Sequence, residues 1–384
     1  MKLIELGTIL NFEKGKKPIT QSDSLINGYL PYVDIAAFES GVIKHYTDGT
    51  KCTSCDNGDI LIVCDGSRSG LVGKAVKGYV GSTLAKISAP GLSSDYLFYF
   101  VQGKYALLNS RKKGTGTPHL NPELLKQQQL IIPDFEEQER IVAIIEELFS
   151  QLDAGVETLK KTKAQLAVYR QAVLKEAFEG DYPKKQLKDF STAISGYAFK
   201  SKKYTPDGEY VVVKIGNVKE RHFDFSRDLT RTVEVDDSIL RKYLLRRGDC
   251  IITLTGSRGK RDYGYVAMVD NQKNYLLNQR VAALRFDQAV ALPEYYQYYL
   301  ASPIYRNMFF SYETGNVGQG NVGIKALLEP MVALPDIQTQ KRIVEKVESR
   351  LSICDSIEQT VDAALLQAEA MRQSILKKAF EGEL

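Results

Sequence analysis

Several residue types and signals are scarce or absent from this chain. Its 384 residues include no tryptophan, five cysteines and three histidines. An odd, small number of cysteines argues against a disulfide framework and fits a reducing compartment. No apolar run reaches the roughly 18 residues of a membrane span, and no signal peptide precedes Leu3. We therefore expect a cytoplasmic protein that is neither secreted nor membrane-spanning.

The sequence also lacks the common signatures of enzymes that act on nucleic acids or nucleotides. An amino-methyltransferase motif, Asn/Asp-Pro-Pro-Tyr/Phe, is missing, since Asn121-Pro122 continues into Glu123-Leu124. No Gly-x-Gly-x-x-Gly stands between a strand and a helix, and neither a Walker A motif nor the Glu-x-Lys of nucleases occurs. These absences predict a chain with no catalytic residues and no cofactor of its own. An enzyme with an unrecognised site stays an alternative.

One group of residues has the composition of a zinc site. Cys52 and Cys55 have ligand spacing, and His45 and Cys64 stand nearby in the sequence. Only one such cysteine pair exists, however, and His45 precedes it by seven residues. We therefore favour a core position for Cys64 and an ordinary turn at Cys52, and we predict no metal site.

A segment of the chain is present twice. PDFEEQERIV at 133–142 returns as PDIQTQKRIV at 335–344, and QAVLKEAFEG at 171–180 returns as QSILKKAFEG at 373–382. Both pairs have an offset of 202 residues, and 19 of the 48 positions from 133 to 180 equal their partners without a gap. A repeat of this length indicates two similar units on one chain, each followed by the repeated segment.

Each copy of the repeated segment carries a heptad pattern. Steps of four and three from Ile141 to Val173 meet eight apolar residues in ten, and the same register runs from Ile343 to Ile375. Pro-Asp begins each predicted helix and Phe-Glu-Gly ends it. About 40 helical residues at roughly 1.5 Å each make a rod of roughly 60 Å, which cannot bury its apolar stripe alone. We therefore expect the two helices to pack on each other, antiparallel.

The apolar stripe of these helices is wider than one partner helix covers. The residues that widen it, each one position beside the seam, are Val142, Phe149, Val156, Val344 and Leu351. A structural clamp between two halves of the chain would not need this width. We therefore predict that these five residues dock other subunits, with the purely structural clamp as the alternative.

Charge is distributed unevenly along the chain, although the total is only +4. Residues 1–132 carry +4 and residues 183–334 carry +7, whereas 133–182 carry −5 and 335–384 carry −2. Two basic units on an acidic frame favour a polyanionic ligand held by the units. A merely solvated basic surface is the other interpretation.

Both segments outside the helices show short β-rich runs followed by a helical stretch. We expect strands at 29–35, 58–63 and 73–76 in the first segment, and at 210–215, 248–253 and 265–269 in the second. One late helix is expected in each, at 94–109 and at 293–310, and the four tyrosines of the second are assigned to packing. The predicted fold is therefore α+β, with two similar globular domains (1–132 and 183–334) joined by two long antiparallel coiled-coil helices (133–182 and 335–384) with pseudo-two-fold symmetry.

The two domains match each other only at short anchors. Gly58-Asp59 matches Gly248-Asp249 and Gly66-Ser67-Arg68 matches Gly256-Ser257-Arg258, both at an offset of 190 residues, while 116–120 stands where 318–322 stands. Arginine on a tight turn suits guanine or phosphate recognition, and pairing with a nearby carboxylate is the alternative. Retained anchors within divergent sequence are typical of two recognition modules with different targets.

Basic and polar residues in the loops of both domains are the candidate nucleic-acid contacts. Exposed cations in flexible loops reach phosphates, and their polar neighbours reach base edges. The predicted DNA-binding residues are Lys16, Lys17, Ser67, Arg68, Lys112, Lys113, Lys200, Lys202, Lys203, Ser257, Arg258, Lys260, Arg261, Asn316 and Gln319.

This duplicated layout resembles the specificity subunits of type I restriction-modification systems. The residues that carry the resemblance are LPDIQTQKRIV at 334–344 with its near copy at 132–142, SGYAFKS at 195–201, and Phe-Glu-Gly at both helix ends. The first domain departs from this pattern, with NFEKG at 11–15 where SGYAF at 195–199 stands in the second.

The resemblance implies two target-recognition domains, each reading one half of a split, asymmetric site on double-stranded DNA. It implies helices that act as a ruler between the half-sites and dock two methyltransferase subunits, with nuclease-translocase subunits joining that core. The subunit itself would be non-catalytic. A structural coiled-coil adaptor is the alternative from another class of protein, and it would not need two different basic domains.

Overall fold

A computed structural model describes residues 2–113, 118–233, 235–270, 274–316 and 318–384. The chain divides into two units, Met1–Lys160 with Asp362–Leu384, and Lys161–Val361. We call them unit 1 and unit 2. Each contains one mixed α and β domain together with a part of both long helices, as the sequence predicts.

The described residues of unit 1 form short strands and four short helices that precede a long one. Its strands are β1 (Lys2–Glu5), β2 (Asn11–Lys14), β3 (Leu30–Val33), β4 (Tyr46–Thr47), β5 (Ser54–Cys55), β6 (Ile60–Val63), β7 (Val72–Lys74), β8 (Gly78–Val80), β9 (Leu84–Ser88) and β10 (Gln129–Ile132). Its helices are α1 (Ile35–Ser40), α2 (Ser94–Gln102), α3 (Tyr105–Ser110), α4 (Pro122–Lys126) and α5 (Phe135–Phe178), of which α5 continues into unit 2.

Two four-stranded sheets form the first domain. One has the order β2-β9-β6-β7 and is antiparallel throughout, and the other has the order β4-β3-β8-β5 with a parallel β3·β8 pair. β1 and β10 pair separately. The residues of β6 are buried on both faces because α2 covers one face and the second sheet lies near the other.

Unit 2 repeats this order of elements. Its strands are β11 (Lys184–Gln186), β12 (Ser191–Ser195), β13 (Tyr210–Val213), β14 (Arg231–Thr232), β15 (Cys250–Thr253), β16 (Thr255–Ser257), β17 (Val266–Met268), β18 (Tyr275–Leu277), β19 (Val281–Phe286), β20 (Gln319–Asn321) and β21 (Met331–Ala333). Its helices are α6 (Asp237–Tyr243), α7 (Pro293–Ala301), α8 (Pro303–Ser311), α9 (Ile324–Leu328) and α10 (Ile337–Glu381), which returns to unit 1.

The sheets of the second domain correspond to those of the first. The order β12-β19-β15-β17 matches β2-β9-β6-β7, and β14-β13-β18, with its parallel β13·β18 pair, matches β4-β3-β8. β11 pairs with β21 as β1 pairs with β10. The predicted fold class is confirmed, with the same scaffold present twice.

The late helix that the sequence predicts in each domain is in fact two helices. In unit 1 the break falls at Gly103, between α2 and α3. In unit 2 Ser302 is extended and Pro303 begins α8, because proline cannot donate the hydrogen bond that would continue α7. The tyrosines of α7 are buried in the core of unit 2, as predicted.

The alignment of SGYAF with NFEKG is wrong by three residues. The amide of Gly196 donates to the carbonyl of Val281, and the amide of Gly15 donates to that of Leu84, so these two glycines are equivalent. A Cβ on either glycine would overlap the backbone carbonyl of a residue that directly follows a strand, Gly81 after β8 in unit 1 and Asn278 after β18 in unit 2. Glycine is therefore required at both positions, and SGY corresponds to KGK at 14–16.

The two long helices run antiparallel within each unit. In unit 1 Arg372 of α10 forms an ion pair with Asp153 of α5, and in unit 2 Arg170 of α5 pairs with Asp355 of α10. Each aspartate and each arginine is the repeat partner of the other at the 202-residue offset. The same contact is thus made twice, and the predicted antiparallel pairing is confirmed.

A buried glutamine fixes the start of each long helix to its domain. The Gln138 side chain donates to the carbonyls of Gly91 and Pro133 and accepts from the amide of Ser93. Gln340 makes the same three bonds, with Val290, Pro335 and Leu292. Both side chains are fully buried, so the motif Pro-Asp-x-x-x-Gln is a structural joint.

The end of each long helix packs in the domain core of the unit that it enters. Phe178, near the end of α5, contacts Tyr295 and Tyr299 edge to face in unit 2. Phe380, near the end of α10, contacts Tyr96 and Phe100 in the same way in unit 1.

Among the described residues, no helix has the length and apolar character needed to cross a bilayer.

Candidate nucleic-acid interface

In both domains the Gly-Ser-Arg turn pairs with the later anchor segment, which is 116–120 in the first domain and 318–322 in the second. In unit 1 the amide of Gly66 donates to the carbonyl of Pro118 at 2.8 Å, and the amide of Leu120 donates to that of Cys64 at 2.7 Å. In unit 2 β16 pairs with β20, placing Ser257 opposite Gln319, and the amide of Val322 donates to the carbonyl of Leu254. Residues 116 and 117 of the first anchor lie outside the described residues.

In unit 1 the cations of this turn are held by the protein itself. Arg68 forms an ion pair with Glu39, with 2.7 Å between Nη1 and Oε1. The Lys112 Nζ donates to the carbonyl of Ser67 at 2.9 Å, and the backbone of Lys113 bridges to His119. Four of the predicted DNA contacts therefore lie together, namely Ser67, Arg68, Lys112 and Lys113. Arg68, however, pairs with a nearby carboxylate, which was the alternative to DNA recognition for this arginine.

A charged group that the sequence did not single out lies beside this turn. The Asp65 carboxylate accepts from Lys14 Nζ at 3.2 Å and contacts His119 Nδ1 at 2.7 Å. Lys14 and His119 are about half exposed while Asp65 is mostly covered, so the carboxylate orients both. The only sequence signal for this group was that His119 falls in the retained anchor.

Lys16 and Lys17 follow Gly15, the glycine of the first domain that is equivalent to Gly196. Both are exposed, and the carbonyl of Lys16 accepts from the Tyr32 hydroxyl at 3.4 Å. They occupy the positions of Tyr197 and Ala198 in the second domain, because Gly15 and Gly196 are equivalent. The cations of this loop are therefore a property of the first domain alone.

The Gly-Ser-Arg turn of the second domain is longer and uses its arginines differently. Arg258 Nη1 donates to the carbonyl of Gly315 at 2.8 Å and makes no ion pair among the described residues. Arg261 donates to the Asn307 side chain at 3.1 Å, and its guanidinium lies 5.2 Å from the Phe310 ring centroid. Lys260 is exposed on the turn. Arg258 and Arg261 are thus fixed by α8 and the loop after it.

Ser257 and Gln319 line one cleft of about 450 Å³. Its wall also includes Lys219, Asp262 and Arg280, which are not among the contacts predicted from the sequence. The hydrogen bonds that Ser257 donates to the Asp262 carboxylate lower the pKa of Asp262. Asn316 is exposed beside this cleft, where its carbonyl accepts from the amide of Gln319.

The three lysines of the second domain's early loop lie elsewhere. Lys202 and Lys203 belong to a single 3-10 turn, and all three of Lys200, Lys202 and Lys203 are exposed. Lys200 and Lys203 line a separate small cavity of about 90 Å³ with Tyr197 and Thr232. These lysines do not line the cleft of Ser257 and Gln319.

Four of the five predicted docking residues are covered by the chain itself. Val142 and Phe149 are buried in the hydrophobic core of unit 1, and Val344 and Leu351 in that of unit 2. Phe149 contacts Tyr99 edge to face and lies under the guanidinium of Arg372. The wide stripe therefore packs the helices on their own domains, and of the five only Val156 is partly exposed.

The cysteines do not gather into a metal site. Cys64 is buried in the core and Cys55 is buried on β5, and burial raises the pKa of both thiols, to about 12 for Cys64 and to about 11 for Cys55. His45 instead contacts Asp23 at 2.8 Å. Within the part of the chain that the structure describes, no group of three or more His, Cys, Asp or Glu side chains could hold a metal ion.

Sequence comparisons agree with the repeated architecture. The family model described as the type I restriction modification DNA specificity domain matches residues 1–167 and 179–367. The chain is similar to the MjaVIII specificity subunit of Methanocaldococcus jannaschii, 26% identical over 371 residues, which cover 91% of this chain and 85% of that protein. It is also 24% identical over 393 residues to the EcoKI specificity subunit of Escherichia coli K12, with 96% and 82% covered.

Solved structures with the same fold cover the whole chain. One, from work on complex assembly and conformational transition of the type I R-M system, has a TM-score of 0.76 at 19% identity and covers 100% of this chain and 98% of its own. Another, the HsdS subunit from Thermoanaerobacter tengcongensis, has a TM-score of 0.54 at 18% identity, with 100% and 97% covered. At these identities the similarity establishes the fold alone.

Proposed function

Because the chain belongs to the type I restriction-modification DNA specificity family, we propose that its two globular domains each read one half of an asymmetric, bipartite DNA target. Its named relatives are specificity subunits, and the proposal gives this chain the same role. The chain is then not itself an enzyme. We assign the domains to residues 1–132 and 183–334, and the helices that join them to 133–182 and 335–384. The same proposal assigns the loop cations and polar residues to the DNA interface.

The observation that carries this proposal is one scaffold with two different surfaces. The backbone pairing of the Gly-Ser-Arg turn with the second anchor is the same in both domains. The side chains on this shared frame differ, since Arg68 pairs with Glu39 whereas Arg258 bonds a backbone carbonyl. A retained frame with exchanged surface chemistry is what reading two unlike half-sites requires.

We further propose that the long helices set the distance between the half-sites. They are the elements that connect the two domains, and in each unit they are held in register by an equivalent arginine–aspartate pair. In unit 2 Arg170 also bonds Glu358 at 2.6 Å, and Arg221 of the second domain reaches Asp355 at 3.2 Å. Helix register and domain position are thus joined by one ionic network in that unit.

Methyltransferase subunits would dock on the helix surface that the chain leaves uncovered, and nuclease-translocase subunits would join that core in the cytoplasm. Large apolar side chains remain exposed on both helices, namely Val168, Ile353 and Leu366. In unit 1 a groove of about 430 Å³ between α5 and α10 includes Leu152, Val156 and Met371. Exposed apolar surface of this kind marks protein contacts. We therefore propose these exposed residues as the docking surface, and Val156 is the one residue of the sequence-based prediction that belongs to it.

Exchanging one domain tests this proposal. Residues 1–132 are replaced by the first domain of another family member, and the methylome of a host expressing the chimera with its methyltransferase is sequenced. We expect one half of the methylated target to change while the other half and the spacer stay the same. The matched control exchanges 183–334 and should change the opposite half. A change in both halves, or in neither, would refute modular reading.

A further inference from the structure

The cleft beside the Gly-Ser-Arg turn of the second domain brings two cations together with polar hydrogen-bonding groups. Lys219 and Arg280 line it with Ser257, Asp262, Tyr265 and Gln319. Arg280 is exposed and Lys219 is partly exposed, and neither side chain forms a salt bridge within the described part of the chain. Asp262 turns one carboxylate oxygen to the amide of Ser257 at 2.7 Å, so it braces the turn.

The first domain has no cation at the position of Arg280, and its chain differs from the second domain where Lys219 stands. The carbonyl of Arg280 accepts from the amide of Leu254, and the carbonyl of Thr83 accepts from that of Cys64, so Arg280 corresponds to Thr83. Val213 and Val33 are likewise equivalent through β13 and β3, but different elements follow them: Glu39 lies in α1, whereas Lys219 comes after a 3-10 turn at Ile215–Asn217.

This difference changes the electrostatic character of the site. In the first domain Glu39 neutralises Arg68 at 2.7 Å, and Thr83 adds no charge. In the second domain Lys219 and Arg280 line the cleft, and Arg258 donates to the Gly315 carbonyl and forms no ion pair among the described residues. The cleft of the second domain therefore presents two cations to an anionic or acceptor-rich ligand, whereas the arginine of the first turn is neutralised by Glu39.

Resting on the proposed function, we propose that this cleft holds the DNA of the second half-site, with Arg280 reading a guanine and Lys219 contacting a phosphate. Arginine presents a planar fork of donors that matches guanine O6 and N7, whereas lysine is a compact point charge suited to phosphate. Ser257 and Gln319 border the same cleft and supply neutral donors and acceptors next to Arg280.

The first experiment replaces Arg280 by the residue of the other domain. The target is identified by methylome sequencing of a host that expresses the full chain with its methyltransferase, and binding of the full chain is measured on a duplex with that target. Arg280→Thr should weaken binding about tenfold to a hundredfold and relax one base position of the second half-site only. Arg280→Lys should keep the charge and still relax that base.

The control and a second variant separate base reading from general attraction. Arg247 is exposed at the opposite end of β15, so Arg247→Ala should leave binding and the methylated target unchanged. Lys219→Gln should weaken binding to all sequences alike and reduce the slope of log affinity against log salt by about 0.9. Circular dichroism should show all four variants folded as the parent, since each side chain is at least partly exposed.

The outcomes distinguish this inference from the proposed function. A parent chain with no sequence-specific binding and no methylation target would overturn both. A parent that binds its target while Arg280→Thr keeps the affinity and the target unchanged would overturn the assignment of the cleft alone. Relaxation in the first half-site instead would also overturn it, because Arg280 belongs to the second domain.

Discussion

Replacing Asp249 by Asn should destabilise the second domain much more than the equivalent change at Asp59 destabilises the first. Asp249 is 1% exposed and accepts two 2.7 Å hydrogen bonds from Arg285 and one of 2.8 Å from the amide of Arg246. Removing one partner of a buried pair costs about 3–5 kcal/mol, and the 27% exposure of Arg285 lets water offset part of this, which gives about 3 kcal/mol.

Asp59 occupies the same turn under milder conditions. Its carboxylate is 35% exposed and lies 3.5 Å from Lys86 Nζ, a geometry worth about 0–1 kcal/mol. It accepts from the amide of Asp56 as Asp249 accepts from that of Arg246, and Gly58 and Gly248 both have a φ of 86°. The Asp59→Asn change is therefore a matched control in which the turn is the same and the ion pair is weak.

Native-state hydrogen exchange measures both domains in one molecule. With Asp249→Asn, we expect the protection of β15 amides to fall by about a hundredfold, since about 1.4 kcal/mol is a factor of ten. With Asp59→Asn, protection of β6 should fall less than about tenfold. The reasoning would be refuted by equal losses of amide protection in the two domains, or by a loss below tenfold at β15. Either result would mean that the buried Asp249–Arg285 pair does not stabilise the second domain as proposed.

Further outcomes follow from single positions. Gly196→Ala should lower the melting temperature because its Cβ would overlap a carbonyl, whereas Gly155→Ala, where the Cβ meets nothing within 4 Å, should stabilise α5 by about 0.5–1 kcal/mol; calorimetry that ranks them in reverse contradicts this. Thiol reagents should modify Cys52 in the native protein but Cys250 only on unfolding, because burial raises the pKa of the Cys250 thiol and covers it fully; mass spectrometry of labelled peptides decides. Four residues inserted in α5 after Lys160 and in α10 at the equivalent position should lengthen the methylated spacer by one or two base pairs, since roughly 6 Å is added against roughly 3.4 Å per step; an unchanged spacer in a folded variant would mean that the helices are not the ruler.

The frame of the molecule could be predicted because its determinants are local and repeated. The heptad pattern and the Pro-Asp starts specify α5 and α10. Each helix begins two residues after its proline, Pro133 or Pro335, close to the predicted start. Errors arose where one local feature interrupts a favourable pattern, as at Gly103 and Pro303, where an apolar periodic stretch contains two helices. The misplaced match of SGYAF arose because its equivalence rests on hydrogen bonds to a distant strand.

The interface was less predictable because side-chain partners come from distant parts of the chain. The two Gly-Ser-Arg turns are equivalent in sequence and in backbone. The partner of each arginine nevertheless comes from elsewhere in the chain, Glu39 for Arg68 and the carbonyl of Gly315 for Arg258. Arg280 is a single cation between Gln279 and Val281, and Lys219 belongs to a short run of mixed charge, so neither is distinguished in the sequence. Only the fold places both beside Ser257 and Gln319.

The family motifs at the starts and ends of the long helices are therefore not among the residues that we propose to read DNA. Gln138 and Gln340 bond the helix starts to their domains, and Phe178 and Phe380 fill the domain cores at the helix ends. Such residues are retained because a buried group with three hydrogen bonds, or a ring packed between rings, tolerates little change. Exposed loop positions carry no such constraint, so they are free to differ between the two halves of one chain. Under the proposed function, the physical reason that makes these helix motifs recognisable thus leaves the target to be determined by exposed residues outside them.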